Sequence, residues 1–162
     1  MIPVYSVVAY SGTGKTTLLE KLIPELRKLG LRVAVLKHDA HDFEIDREGK
    51  DSYRFTAAGA DVTALASGRK AVVMENRPVE PEVLLGMIRD VDLILTEGFK
   101  FGDWKKILVA RAAAGTGFAV EPDQCFAVAS DMAVETAAPV FGLDDAAGLA
   151  GYIAADVERE SG

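Results

Sequence analysis

The sequence predicts an α/β fold, a mainly parallel sheet flanked by helices with one antiparallel hairpin, and three observations carry that expectation. An apolar run, Pro3-Val-Tyr-Ser-Val-Val-Ala9, passes through a glycine-rich turn into a helical pattern from Thr17 to Leu29. Further β-branched apolar runs then alternate with helical stretches along the chain, as βαβ units require. The bulk numbers agree: 162 residues, 49% hydrophobic and 27% charged, suit one soluble domain with a central sheet covered by helices.

The elements follow in order. Gly30 supplies a stop for the first helix, and Leu31 to Lys37 is a second buried strand. Residues 38–50 are highly charged without a sustained apolar period and read as a loop. Asp51 to Ala58 is a short helix, capped by Asp51 or Ser52 and ended by Gly59. Asp61 to Ala66 and Lys70 to Glu75 are strands joined around Ser67-Gly68, a hairpin that exposes Val72, Val73 and Met74. Pro81 to Arg89 is a helix with proline in its first turn. Strands are expected at Val91 to Thr96, Lys105 to Arg111, Gln124 to Ser130 and Pro139 to Phe141, with a surface loop at 112–117 and a closing helix from Asp144 to Glu158. No repeat or linker marks a second domain, so residues 1–162 read as one nucleotide-binding domain.

The turn itself carries the chemistry. Ala9-Tyr-Ser-Gly-Thr-Gly-Lys-Thr16 stands between strand and helix, the context a phosphate-binding P-loop requires. Gly12 and Gly14 let backbone N–H groups converge on one anion, and the helix N-terminus adds the positive end of its dipole. Ser11, Gly12, Thr13, Gly14, Lys15, Thr16 and Thr17 are therefore the expected nucleotide-binding residues. Lys15 would reach the β- and γ-phosphates, and the Thr16 hydroxyl would ligate Mg²⁺. The motif's first glycine is replaced by Ala9, which is tolerable if the backbone there keeps a negative φ.

A second candidate is the acid closing the strand at 91–96. Ligands gather at the carboxyl ends of parallel strands, so Glu97 is the expected Mg²⁺ partner, and Asp92 at the opposite end is a solvated boundary residue. Lys100 would pair with Glu97 or with phosphate. The loop at 38–50 holds both histidines, His38 and His41, with Asp39, Asp42, Glu44 and Asp46. It reads as a polar switch-like loop over the phosphates, in which Asp46 could also reach the metal; a transition-metal site lacks a cysteine or third histidine to complete it. No Asn-Lys-x-Asp or Thr-Lys-x-Asp stretch occurs, so base preference is not readable from the residues, and no group for orienting an attacking water is evident.

A formal charge of −7, from 25 acidic and 18 basic residues, disfavours nucleic acid as a partner. The N-terminal stretch lacks a basic leader and no apolar segment reaches bilayer-spanning length, so no membrane association is expected and the chain reads as cytoplasmic. Cys125 is the sole cysteine; it excludes an intramolecular disulfide and reads as a small buried thiol.

These pieces together resemble the molybdopterin-guanine dinucleotide biosynthesis adaptor family of P-loop NTPase architecture. The matching residues are Ser11-Gly-Thr-Gly-Lys-Thr-Thr17, Lys37-His38 with His41 and Asp46, Gly49-Lys-Asp-Ser52, Ala58-Gly-Ala60 and Thr96-Glu-Gly-Phe-Lys100, spanning about residues 1–110. The resemblance implies a homodimer that binds GTP with Mg²⁺ and hydrolyses it weakly at most. It also implies a partner, the guanylyltransferase that joins GMP to molybdopterin, with molybdopterin itself as a further ligand. His38, His41, Lys50, Asp51 and Ser52 would line the cleft or a partner-facing surface. A small-molecule kinase, a nickel-metallochaperone-type GTPase and a non-enzymatic adaptor remain alternatives.

Overall fold

The computed structural model describes residues 1–38, 43, 45–115 and 117–161. Its elements in chain order are β1 (Val4–Val8), α1 (Lys15–Lys28), β2 (Val33–Lys37), α2 (Asp51–Ala57), β3 (Val62–Ala66), β4 (Ala71–Glu75), α3 (Pro81–Met87), β5 (Leu93–Glu97), β6 (Lys105–Ala110), β7 (Ala127–Ser130), β8 (Val140–Gly142) and α4 (Ala146–Ser161). Two compact units result: residues 1–38 with 89–162, and residues 39–88.

The first unit holds a six-stranded sheet in the order β2-β5-β1-β6-β7-β8, parallel at every pairing. All strands therefore end at one edge, and β1 lies near the middle of it. Strands buried on both faces read as unbroken apolar runs, and β5 and β7 are buried at every residue. One face packs Tyr5, Val7, Leu93, Leu95, Ile107, Val109, Ala127 and Ala129 against Leu18, Leu22 and Leu26 of α1 and Leu149, Ile153 and Val157 of α4. On the other face, Val8, Leu108 and Val128 pack with Cys125 and are covered in part by Phe118, Val120, Val134 and Ala138.

At the amino edge of the sheet a polar cluster ties three elements together. The buried Tyr5 hydroxyl donates to Asp156 Oδ2 at 2.7 Å, and Lys105 donates to the same oxygen and to Glu160. Arg159 donates to Asp156 Oδ1 at 3.1 Å. Burial works against ionisation of Asp156, but these hydrogen bonds outweigh it and hold the carboxyl below its ordinary range. Burial first, then the bond to Asp156, pushes the Tyr5 hydroxyl the other way.

Several boundaries differ from the sequence expectation for local reasons. β5 begins at Leu93 and not Val91, because Asp92 turns its carboxylate onto the backbone N–H of Arg32 at 2.6 Å and onto its guanidinium at 3.0 Å. Asp92 is thus a clamp between chain segments, where a merely solvated residue was expected. α3 stops at Met87, two residues before Arg89, since Ile88 is extended. β7 begins at Ala127 and not Gln124, because Pro122–Gln124 form a 3₁₀ turn. Ala112–Ala114 form another inside the expected loop. α1 continues past Pro24, an exposed position that offers no N–H to the carbonyl of Glu20.

In the second unit β3 and β4 form their own antiparallel sheet, registered from Val62↔Glu75 to Ala66↔Ala71. The Ser67 hydroxyl closes the hairpin by donating to the carbonyl of Lys70 and accepting from its N–H. Thr56 of α2 and Thr63 of β3 share a hydroxyl hydrogen bond of 3.1 Å. Val62, Leu65, Val72 and Val73 remain exposed, and Met74 is half-buried.

Candidate nucleotide-binding site

The loop after β1 opens at the carboxyl edge of the sheet, beside the ends of β5 and β6. Gly12 and Gly14 have φ of +75° and +106°, the left-handed region that a side chain resists, which is why glycine stands at both. Asp90 alone among the described non-glycine residues has a positive φ, so Ala9 fits the strand-end backbone expected for it. Gly14 is the residue before the first helical turn of α1, and Leu18 returns its N–H to the Gly14 carbonyl at 3.0 Å. The N–H groups of the first turn have no partner within the helix and face the loop mouth.

Lys15 arches back over the loop, donating to the carbonyls of Ala9 at 3.3 Å and Tyr10 at 3.1 Å. Its ammonium is held above the turn by two weak neutral acceptors, which a phosphate oxygen would replace with a charged one. Thr13 is 4% exposed and its hydroxyl has no partner among the described residues, an orphaned group in the wall of the loop. Ser11, Gly12, Thr16 and Thr17 are exposed.

Thr16 and Glu97 meet across two elements. The Thr16 hydroxyl lies 3.0 Å from each carboxylate oxygen of Glu97, which is 8% exposed. Parallel pairing puts Glu97 level with Val7 of β1 and Lys37 of β2, so the carboxylate stands where the central strands end. Below it Ser6 and Thr96 join hydroxyls at 2.6 Å, satisfying two buried polar groups. A hydroxyl and a carboxylate side by side are oxygen donors of the kind that suit Mg²⁺, and the residues present fit such an ion.

Gly98, with φ of +99°, turns the chain sharply after Glu97, and His38 donates its N–H to the Glu97 carbonyl at 2.9 Å. The imidazole of His38 packs on Phe99, 5.1 Å between ring centroids, as an aromatic neighbour to the site. Lys100 forms no ion pair with Glu97; its ammonium lies over the exposed ring of Phe101 at 5.4 Å. The second unit holds Asp46, Lys50, Asp51 and Ser52. Asp46 accepts from the N–H of Arg47 through one oxygen while the other is buried with no partner among the described residues; Lys50 precedes the first turn of α2; Asp51 pairs with Arg54; and Ser52 is buried. His41, with Asp39, Asp42 and Glu44, lies outside the described residues, and the described ones contain no cluster of three or more metal-ligating side chains.

One neighbour of the loop carries no motif. Arg111 follows directly on β6, and its guanidinium lies 3.7–3.8 Å from the point where Gly14 would bear a Cβ. Only the strand order brings it there; a basic residue just after a strand adjacent to β1 was the available sign. Cys125 is chemically quiet: burial pushes its thiol up to about 11, and it donates weakly to the Glu121 carbonyl at 3.4 Å.

Comparison with known proteins agrees with this architecture. The family model described as molybdopterin guanine dinucleotide synthesis protein B matches residues 4–131. A molybdopterin-guanine dinucleotide biosynthesis adapter protein from Escherichia coli K12 is 38% identical over a 174-residue alignment covering all of this chain and 97% of that protein. A protein of the same description from Haemophilus influenzae is 44% identical, over 68% of this chain and 64% of its own. Among solved structures, Bacillus subtilis MobB superposes with a TM-score of 0.73 at 28% identity, over 96% of this chain and 97% of that one. A match this long, at this identity and with the same fold, is membership: the chain belongs to the molybdopterin guanine dinucleotide synthesis protein B family.

Proposed function

We propose that this protein is an adapter in molybdopterin guanine dinucleotide biosynthesis that binds GTP with Mg²⁺ at the loop 11–17. In this reading it assists the guanylyltransferase that attaches GMP to molybdopterin. The observation that carries the nucleotide part is the meeting of Thr16 and Glu97 beside Lys15, at the mouth of a loop with two left-handed glycines. The loop N–H groups and Lys15 would bind phosphate oxygens, and Thr16 with Glu97 would hold the metal. Mg²⁺ would supply charge neutralisation of the phosphates. In this reading hydrolysis is weak at most, as the family resemblance implies.

The adapter part comes from the relatives' description, and the exposed apolar strands of the hairpin favour a homodimer. No described helix is long and apolar enough to cross a membrane; a cytoplasmic site of action is part of this proposal. Calorimetry with GTP and ATP, on wild type and Lys15→Ala, tests the site: the variant is expected to lose triphosphate binding with its fold intact. Unchanged affinity would refute the assignment. Reconstitution of the guanylyltransferase with molybdopterin and limiting GTP tests the role, which fails if product formation ignores this protein. Light scattering across concentrations tests the dimer.

A further inference from the structure

We propose that Arg111 is a phosphate ligand of the nucleotide site, a cation delivered by β6 to the same loop that Lys15 serves; this rests on the nucleotide-binding reading of that loop. Three features of the first unit support it. The side chain's position comes first. β6 pairs with β1, aligning Leu108 with Val8, so the residue after Ala110 emerges at the carboxyl edge alongside the loop. Its guanidinium carbon and both terminal nitrogens then lie within 3.7–3.8 Å of the open side of Gly14. A flat, forked cation thus rests against the residue that begins α1, where backbone N–H groups are themselves without helical partners.

The second feature is what Arg111 does not do. Among the described residues its guanidinium makes no hydrogen bond and no ion pair. It is felt at a distance by Asp144, whose carboxylate is committed to Lys21 at 2.6 Å. The residue is half-buried, and its guanidinium nitrogens are not sealed from solvent, so its donors stand without a protein acceptor among the described residues yet open to a ligand. A structural arginine in such a place ordinarily salts onto a carboxylate or a carbonyl.

The third feature is electrostatic. Lys15, Arg111 and the N-terminus of α1 converge on one small loop, with Glu97 turned to Thr16 and making no ion pair with either cation. Like charges held together gain if an anion lies among them, and a polyphosphate offers the paired oxygens that a guanidinium fork grips bidentately.

The test uses the full-length protein with GTP, GDP and inorganic pyrophosphate as probes, titrated calorimetrically against wild type, Arg111→Ala, Arg111→Gln and Arg111→Lys. Circular dichroism checks that each variant is folded. Arg111→Ala and Arg111→Gln are expected to bind GTP and pyrophosphate 10- to 100-fold more weakly. Arg111→Lys should recover part of the loss, since it restores charge but not the fork. The ligand-free melting temperature should hold, because among the described residues the guanidinium makes no hydrogen bond or ion pair to lose. A lowered melting temperature with affinity within twofold of wild type would make Arg111 a packing residue and overturn the proposal. Weakened GTP binding with unchanged pyrophosphate binding would place the guanidinium on the base or ribose, overturning the phosphate assignment. If wild type binds neither probe, the nucleotide reading falls and this proposal with it; if wild type binds and the variants match it, only the proposal falls.

Discussion

Replacing Asp156 by Ala removes the acceptor that joins β1, β6 and α4 at the amino edge of the sheet. The carboxylate side chain is 11% exposed and accepts from Tyr5, Lys105 and Arg159. Tyr5 is fully buried, so its hydroxyl would lose its acceptor inside the core, a loss of about 1–3 kcal/mol. Lys105 is 34% exposed and keeps Glu160, so the broken ion pair costs less than a fully buried one. Taken together, a loss of about 3 kcal/mol is expected in urea titrations, or roughly 6–12 °C in melting temperature for a chain of this size. Asp156→Asn keeps an acceptor for Tyr5 and should cost less.

The pH dependence has a definite sign. Asp156 has a lowered pKa, so its contribution is complete above the ordinary carboxylate range and fades as pH falls through the lowered value. Lys105 opposes its own burial through bonds to Asp156 and Glu160, which raise its pKa; its contribution is complete at neutral pH and lost as pH climbs through that raised value. The gap between wild type and Asp156→Ala should therefore be widest near neutrality and narrow toward acid. A variant within about 0.5 kcal/mol of wild type at pH 7 would mean the cluster is no better than surface charge, and the reasoning would be refuted.

Glu97→Gln should weaken nucleotide binding about tenfold or more when Mg²⁺ is present and have little effect in chelator, because the amide lacks the carboxylate's charge; equal loss in both media would argue against a metal role. Gly98→Ala should destabilise by about 1–3 kcal/mol, since φ of +99° strains an alanine whose Cβ would sit 3.1 Å from the His38 carbonyl oxygen; denaturant titration reads it. Pro24→Ala should stabilise by about 2 kcal/mol, restoring a bond to the Glu20 carbonyl against a smaller loss from a freer unfolded chain; an unchanged or lower melting temperature would contradict it.

The sheet and loop were legible because their signals are local. An apolar run followed by Ser11-Gly-Thr-Gly-Lys-Thr16 names strand, turn and helix within a few residues, and the left-handed glycines bear it out. Glu97 was readable too, because an acid before Gly98 at a strand end falls on the ligand edge in any parallel sheet. Arg111 was not, since its nearness to Gly14 depends on β6 being the neighbour of β1, which no short-range pattern encodes. The pairing of Asp92 with Arg32 was missed likewise, sixty positions apart in sequence. At 122–126, the apolar Cys125 and Phe126 suggested strand, but Pro122 sets a tight turn that holds the chain back until Ala127. Of the two partners expected for Lys100, Glu97 or phosphate, Glu97 is not met here: beyond the sharp turn at Gly98 its ammonium lies over Phe101.

The strand order also dictates when the molecule can take shape during synthesis. β1 leaves the ribosome well before its partners, residues 94–97 and 105–108. β2 waits for the same strand, β5. About ninety residues must therefore follow β1 before any pairing in the six-stranded sheet is available, with Val4 to Val8 lacking both neighbours throughout. The hairpin of residues 62–75 lies inside that interval and needs only contacts within reach of its own turn, so it can close first. Once residue 108 has appeared, four strands of the sheet, β2, β5, β1 and β6, have their partners, and the loop at 9–16 gains its frame. A chain truncated before β5 would carry the whole phosphate-loop sequence without the strand that frames it, and would present two unpaired apolar strands, β1 and β2, to chaperones.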